Sequence, residues 1–205
     1  TPDANRQAVV EYVVSILATT LRPLPSHIHR GHTDAEWTIA RRDAMTSRQM
    51  SECRLGILGL GEIGRRVAEV AAAIGFQVQY CDIEEIAAEH RFGATPVDLE
   101  TLLHTSDVLT VHVDGRSSNK HYLSTQQLNQ LQPNALLLNT SRGFVIDGEA
   151  LAAMLVANPD CSAVLDVHEQ EPISTDDPLL CLPNAILLPH SASRTAAAQR
   201  AMSWV

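Results

Sequence analysis

Short apolar runs alternate along most of the chain with segments whose apolar residues recur every three to four positions. The first such segment, residues 5–21, sets Val9, Val13, Ile16, Leu17 and Leu21 on one face at helical spacing, with Asp3 or Asn5 available as a cap. Val10 and Val14 widen that face, which predicts a helix held between layers or at a subunit contact; Pro23 and Pro25 stop it. Residues 26–50 are polar and without a period, and predict an irregular surface loop. Beyond them the apolar runs 55–60, 76–81, 94–97, 107–113, 135–139, 161–167 and 185–188 read as strands. Segments 65–74, 99–104, 124–131 and 148–157 read as the intervening helices, with Gly75 ending the first and Ser124 capping the third. Strands interleaved with helices at this pitch predict a parallel sheet covered on both faces, a doubly wound α/β architecture.

Composition narrows the partners. The formal net charge of -9 over 205 residues argues against a nucleic-acid surface and leaves a small molecule as the expected ligand. No apolar stretch approaches the length needed to span a bilayer, and no signal segment opens the chain, which predicts a soluble, cytoplasmic protein. Cys53, Cys81, Cys161 and Cys181 are scattered and read as thiols. His27, His29 and His32 invite a metal, but no Cys, Asp or Glu completes a set at familiar spacing, so no metal is assigned. Arg41, Arg42 and Arg48 read as surface residues.

The segment 55–82 changes the picture, because Gly59, Gly61 and Gly64 fall in the spacing GxGxxG between a strand and a helix. The first glycine allows a tight turn, the second lets amides approach a pyrophosphate, and the third lets helix pack on strand. Glu62 and Ile63 complete that loop, whose phosphates would sit on the helix N-terminus. Asp82 follows the last glycine by 18 positions, where a carboxylate receives the adenosine ribose hydroxyls, favours NAD and repels NADP; Glu84 and Glu85 add to the bias. The expected fold is therefore of the Rossmann type with NAD as cofactor.

Ligands of such sheets bind beyond the carboxyl ends of the strands. His112 and Val113 end one strand there and join the cofactor side by position, as do Thr140 and Ser141 after the run 135–139. The imidazoles of His112, His121 and His168 carry no sign of a role beyond packing. Arg142, the acids following the run 161–167 and His190 reach the same edge from three successive strands. Hydride transfer to a carbonyl needs a cation that holds an anionic substrate and an acid that titrates near neutrality. Arg142 supplies the first through its bidentate fork and His190 the second, with Glu171 to orient the ring.

GLGEIG with Asp82, LNTSRGFVID, LDVHEQEP and LPHSASRT, in this order, resemble the motifs of the D-2-hydroxyacid dehydrogenase family. The resemblance implies substrate binding by Arg142, an acid pair of His190 and Glu171, a nicotinamide contact from Asp166, and NAD-dependent interconversion of 2-oxo and 2-hydroxy acids. It also implies a homodimer, for which the helix 9–21 and Trp37 offer a surface. The family inserts its NAD domain between two halves of a substrate domain. Residues 1–50 then correspond to an entering helix and loop, 51–190 to the NAD domain and 191–205 to the start of a returning helix. The second domain is largely absent, which predicts NAD binding with little or no catalysis by this chain alone. Two relatives of the family offer other readings, a dinucleotide-sensing co-repressor and a phosphite dehydrogenase; formate enzymes typically carry glutamine where Glu171 stands. Two departures stand out. Asp114 and Gly115 replace a usual proline and leucine, placing a carboxylate where it could weaken dinucleotide binding. Glu52, Cys53 and Arg54 replace a Gly-Lys-Thr-like lead into the first strand, at little expected cost to function.

Overall fold

The computed structural model describes residues 5–24, 31–46 and 48–203 and contains one seven-stranded parallel sheet. Its strands are β1 (Arg54–Leu58), β2 (Gln77–Cys81), β3 (Thr95–Pro96), β4 (Val108–Val111), β5 (Leu136–Asn139), β6 (Ser162–Leu165) and β7 (Ala185–Leu187). They lie in the order β3-β2-β1-β4-β5-β6-β7, so the chain reverses its direction of travel between β1 and β4, where a crevice opens at the carboxyl ends. Each strand falls inside one predicted apolar run, except that β1 begins one residue earlier, at Arg54.

Successive side chains on a strand face opposite ways, and here both faces are covered. Leu136, Leu138 and Val164 join one core with α1 (Arg6–Leu21) and α3 (Glu62–Ile74). Leu137, Ala163 and Leu165 join the other with α4 (Leu99–Thr105), α5 (Thr125–Leu128) and α6 (Gly148–Ala157). α7 (Ala196–Ser203) follows the last strand. The broad apolar face of α1 is consumed by the first core: Val9, Val10, Val13, Ile16 and Leu17 are all buried. Those five side chains are therefore not available to a second subunit. Asn5 takes the cap position of α1 but its side chain makes no capping bond, and Asp3 and Pro25 lie outside the described residues.

Residues 26–50 depart from the predicted loop. α2 (Asp34–Asp43) is a helix closed by a capping box, in which the Thr33 hydroxyl accepts from the Glu36 amide and Glu36 accepts from the Thr33 amide at 2.7 Å. It buries no residue, so no hydrophobic period announced it. Trp37 on this helix is 51% exposed beside His32, with ring centroids 5.9 Å apart. His27 and His29 lie outside the described residues. Among the described residues no three or more metal-binding side chains gather, and no helix is long and apolar enough to cross a membrane.

At the amino ends of the strands, Arg48 donates to Asp107 Oδ1 at 2.6 Å, and the Arg54 amide donates to Asp107 Oδ2 at 2.7 Å. Glu52, Cys53 and Arg54 belong to this edge, opposite the crevice.

Candidate active site

The crevice between β1 and β4 contains a cavity of about 310 Å³. Gly59 turns the chain out of β1 with φ +94, and a Cβ there would press on the His112 carbonyl and the Val113 amide at about 3 Å. At Gly64 a Cβ would collide with the Gly59 carbonyl, so α3 can lie this close to the turn only without a side chain. Gly61 faces open space, with nothing within 4 Å of an added Cβ. Asp82 closes the far wall, its carboxylate oriented by the Leu60 amide at 2.5 Å and the Glu84 amide at 2.9 Å. Glu84 lines the same wall.

The side chains of Glu62 and Ile63 do not line this cavity. Glu62 pairs with Arg6 at 2.9 Å and Ile63 packs against the core, leaving only their backbone amides for a phosphate. His112 and Val113 form the β4 wall. The His112 ring bonds Thr110 Oγ1 at 2.9 Å, and burial pulls its pKa down to about 4, so it faces the cavity neutral. Thr140 is buried with a hydroxyl that has no hydrogen-bond partner among the described residues. Buried polar groups are rarely left so, and this one lies at the end of β5, beside β4, where a dinucleotide reaching along the crevice would meet it. The open side at Gly61, the oriented Asp82 and the waiting Thr140 hydroxyl together fit an NAD-like group.

Arg142, Glu171 and His190 line one open cavity of about 240 Å³ at the same edge of the sheet. Glu171 Oε2 lies 2.7 Å from His190 Nδ1, and the His168 amide donates to Glu171 Oε1 at 3.0 Å. Burial pushes the Glu171 carboxyl up, but the bonds from His190 and the His168 amide outweigh it and hold the group below the usual carboxylate range. His190 sits at φ +51, a conformation costly for a residue with a side chain, and is 49% exposed. Arg142 donates to the Ser141 carbonyl at 2.7 Å and lies against Gly115, where a Cβ would stand 3.3 Å from its Nε.

Several further residues hold this arrangement. Asn139 accepts from both the amide and the hydroxyl of Ser141, at 3.0 and 2.8 Å, and donates to the Arg142 carbonyl at 3.0 Å. The Ser141 hydroxyl is thus engaged within the loop. Asp166, fully buried, accepts from the amides of Ser191 and Ala192 at 2.9 and 2.8 Å, which pins the strained turn at His190. Tyr12 of α1 reaches the Ser191 hydroxyl at 2.8 Å. The His168 ring lies 2.8 Å from the Leu188 carbonyl and ties the β6 loop to β7, which is more than packing. His121 bridges to Glu169 at 3.0 Å; Glu169 lines the cavity of Arg142 and His190, and His121 lines neither that cavity nor the one between β1 and β4. Asp114 does not stand as a bare charge beside the crevice: it is paired with Arg116 at 2.6 Å.

A family model described as D-isomer specific 2-hydroxyacid dehydrogenase, NAD binding domain, matches residues 14–192. The chain is 35% identical to a glyoxylate reductase of Korarchaeum cryptofilum over 195 residues, 94% of this chain and 58% of that protein. It is 33% identical to a glyoxylate/hydroxypyruvate reductase B of Pectobacterium atrosepticum over 198 residues, 95% of this chain and 61% of that protein. A crystal structure of a glyoxylate reductase from Paecilomyes thermophila superposes with a TM-score of 0.81 at 30% identity, covering 100% of this chain and 61% of the other. The chain spans about three fifths of the length of the relatives it matches.

Proposed function

This chain belongs to the D-isomer specific 2-hydroxyacid dehydrogenase family as its NAD-binding domain, and on that premise we propose that the full protein interconverts a 2-oxo acid and a D-2-hydroxy acid. The observation that carries the reading is the His190–Glu171 pair at 2.7 Å, sharing one cavity with Arg142.

The cofactor, when bound, supplies or accepts the hydride. Arg142 binds the substrate carboxylate and polarises its carbonyl through a bidentate fork. His190, with Nδ1–H donated to Glu171, presents Nε2 to the substrate oxygen and hands it a proton during reduction. Glu171 fixes that tautomer and stabilises the imidazolium. Asp166 acts on the reaction by pinning His190 through the next two amides; the nicotinamide contact that the resemblance implies for it has no support in its full burial. Thr140 would place its hydroxyl on the cofactor. Asp82 and Glu84 select NAD over NADP.

In the full protein a second domain closes over the exposed edge, since His190 and Glu171 are too open here to exclude water. Four free cysteines suit a reducing cytoplasm. A homodimer would form through α2, where Trp37 and Ile39 are half exposed on a helix that buries nothing. Sedimentation of the full protein as a monomer at micromolar concentration would remove that contact.

The direct test follows NADH absorbance with the full protein against glyoxylate, hydroxypyruvate and larger 2-oxo acids. Turnover on at least one is expected. Tight NADH binding without turnover on any 2-oxo acid would replace this reading with a dinucleotide sensor or an enzyme for an inorganic anion.

A further inference from the structure

The loop after β4 holds two charges of the cofactor cavity that the mechanism leaves unused; Arg65 of α3 lines it as well, with its Nε donating to the Leu60 carbonyl at 3.0 Å. Asp114 and Arg116 both line that cavity with Asp82 and Glu84. Arg116 Nε donates to Asp114 Oδ1 at 2.8 Å and Oδ2 at 3.0 Å, and Nη2 donates to Oδ2 at 2.6 Å. The Arg116 amide and Asn119 Nδ2 donate to the same Oδ1 at 3.2 and 3.1 Å. One carboxylate thus fixes the turn and covers the Nε–Nη2 edge of the guanidinium. Asp114 raises the Arg116 pKa most, and Glu84 and Asp82 add to it, so the cation lies within electrostatic reach of the acid that would receive the ribose hydroxyls.

A guanidinium in that place is, by its chemistry, a receptor for a phosphate ester on the ribose, because its fork pairs with phosphate oxygens two at a time. Of its two bidentate edges, the Nε–Nη2 edge is occupied by Asp114, which also neutralises its charge. We propose that Asp114 and Arg116 form a cofactor-discriminating pair, in which Asp114 masks the Nε–Nη2 edge of Arg116, neutralises its charge and so adds to the exclusion of a 2′-phosphorylated dinucleotide by Asp82. The carboxylate that departs from the family pattern is then a selectivity device. Its own charge is neutralised by the cation it masks, so it does not weaken the binding of NAD. The inference rests on the dinucleotide cavity and is independent of which 2-oxo acid reacts.

Fluorescence titration of NADH and NADPH onto the full chain tests it, using wild type, Asp114→Asn, Arg116→Ala and the double variant. Asp114→Ala runs alongside, because asparagine can keep part of the pairing. Both side chains are about half exposed, so the variants should unfold at the wild-type temperature. Wild type should prefer NADH. Loss of the Asp114 carboxylate should tighten NADPH by about tenfold, the worth of one charge-assisted contact, with NADH changing by no more than about threefold. The gain should vanish when Arg116 is alanine. An unchanged NADPH affinity in both Asp114 variants overturns the proposal. An equal gain without Arg116 also overturns it, since charge removal alone would then explain the effect. A wild type that binds neither dinucleotide would fail the cavity assignment itself.

Discussion

At the cofactor end of the crevice the parts that decide the geometry are mostly backbone: the turn at Gly59, the close approach at Gly64, the open side of Gly61 and the amides that orient Asp82. At the substrate end they are side chains, Arg142, Glu171 and His190, propped by other side chains and half exposed. The difference teaches where each end is vulnerable. A methyl group added at Gly59 or Gly64 of the first end disturbs the fold, because backbone has nowhere to go. A side chain removed from the second disturbs the chemistry and leaves the fold standing.

The largest expected effect attacks the first half of that contrast. Gly64→Ala puts a Cβ against the Gly59 carbonyl and should cost about 3 kcal/mol, with NADH binding lost together with stability in denaturant titrations. A stable variant that still binds NADH would show that the close approach is dispensable. Next comes His112, on the cofactor wall. Its folded pKa of about 4 lies below the ordinary 6.5, so the unfolded chain takes up the proton first as pH falls. Its contribution is therefore whole above about pH 6.5 and is lost progressively toward about pH 4. The loss should reach about 2 kcal/mol, less than the full shift implies because the ring meets the cavity. His112→Gln should flatten the pH dependence of unfolding in that window. The smallest effect serves as a control at the opposite edge. Burial pushes the Asp107 carboxyl up, but Arg48 and the Arg54 amide hold it below its usual range. Its stabilisation is present above ordinary carboxyl titration and fades as pH drops below it. Asp107→Asn should cost about 1 kcal/mol in a partly exposed pair and leave turnover of the full protein unchanged.

Much of this was legible because each apolar run ends where the sheet ends. Gly59, Asp82, Arg142 and His190 are the first polar or glycine positions beyond a strand or close to it, so reading the strands located them on one edge. What escaped was held by local or neutralised interactions. α2 left its sign in Thr33 and Glu36 at capping-box spacing, three positions apart, while its apolar residues bury nothing. The breadth of α1 fitted a core and an interface equally well in one dimension, and only the packing of α3 against it decides for the core. Asn139 looked like the tail of a strand, yet its amide organises the loop that carries Arg142. Asp114 was visible as an odd charge, but whether it opposes the cofactor depended on Arg116 folding back onto it two residues later.

The central claim, that cofactor binding and chemistry reside in separable parts of this edge, is tested most directly by measuring NADH affinity and turnover on the same His190→Ala variant of the full protein. The account predicts an NADH Kd within about twofold of wild type and a kcat lower by a factor on the order of 10² to 10⁴. Parallel losses in Kd and kcat, or turnover close to wild type, would contradict it.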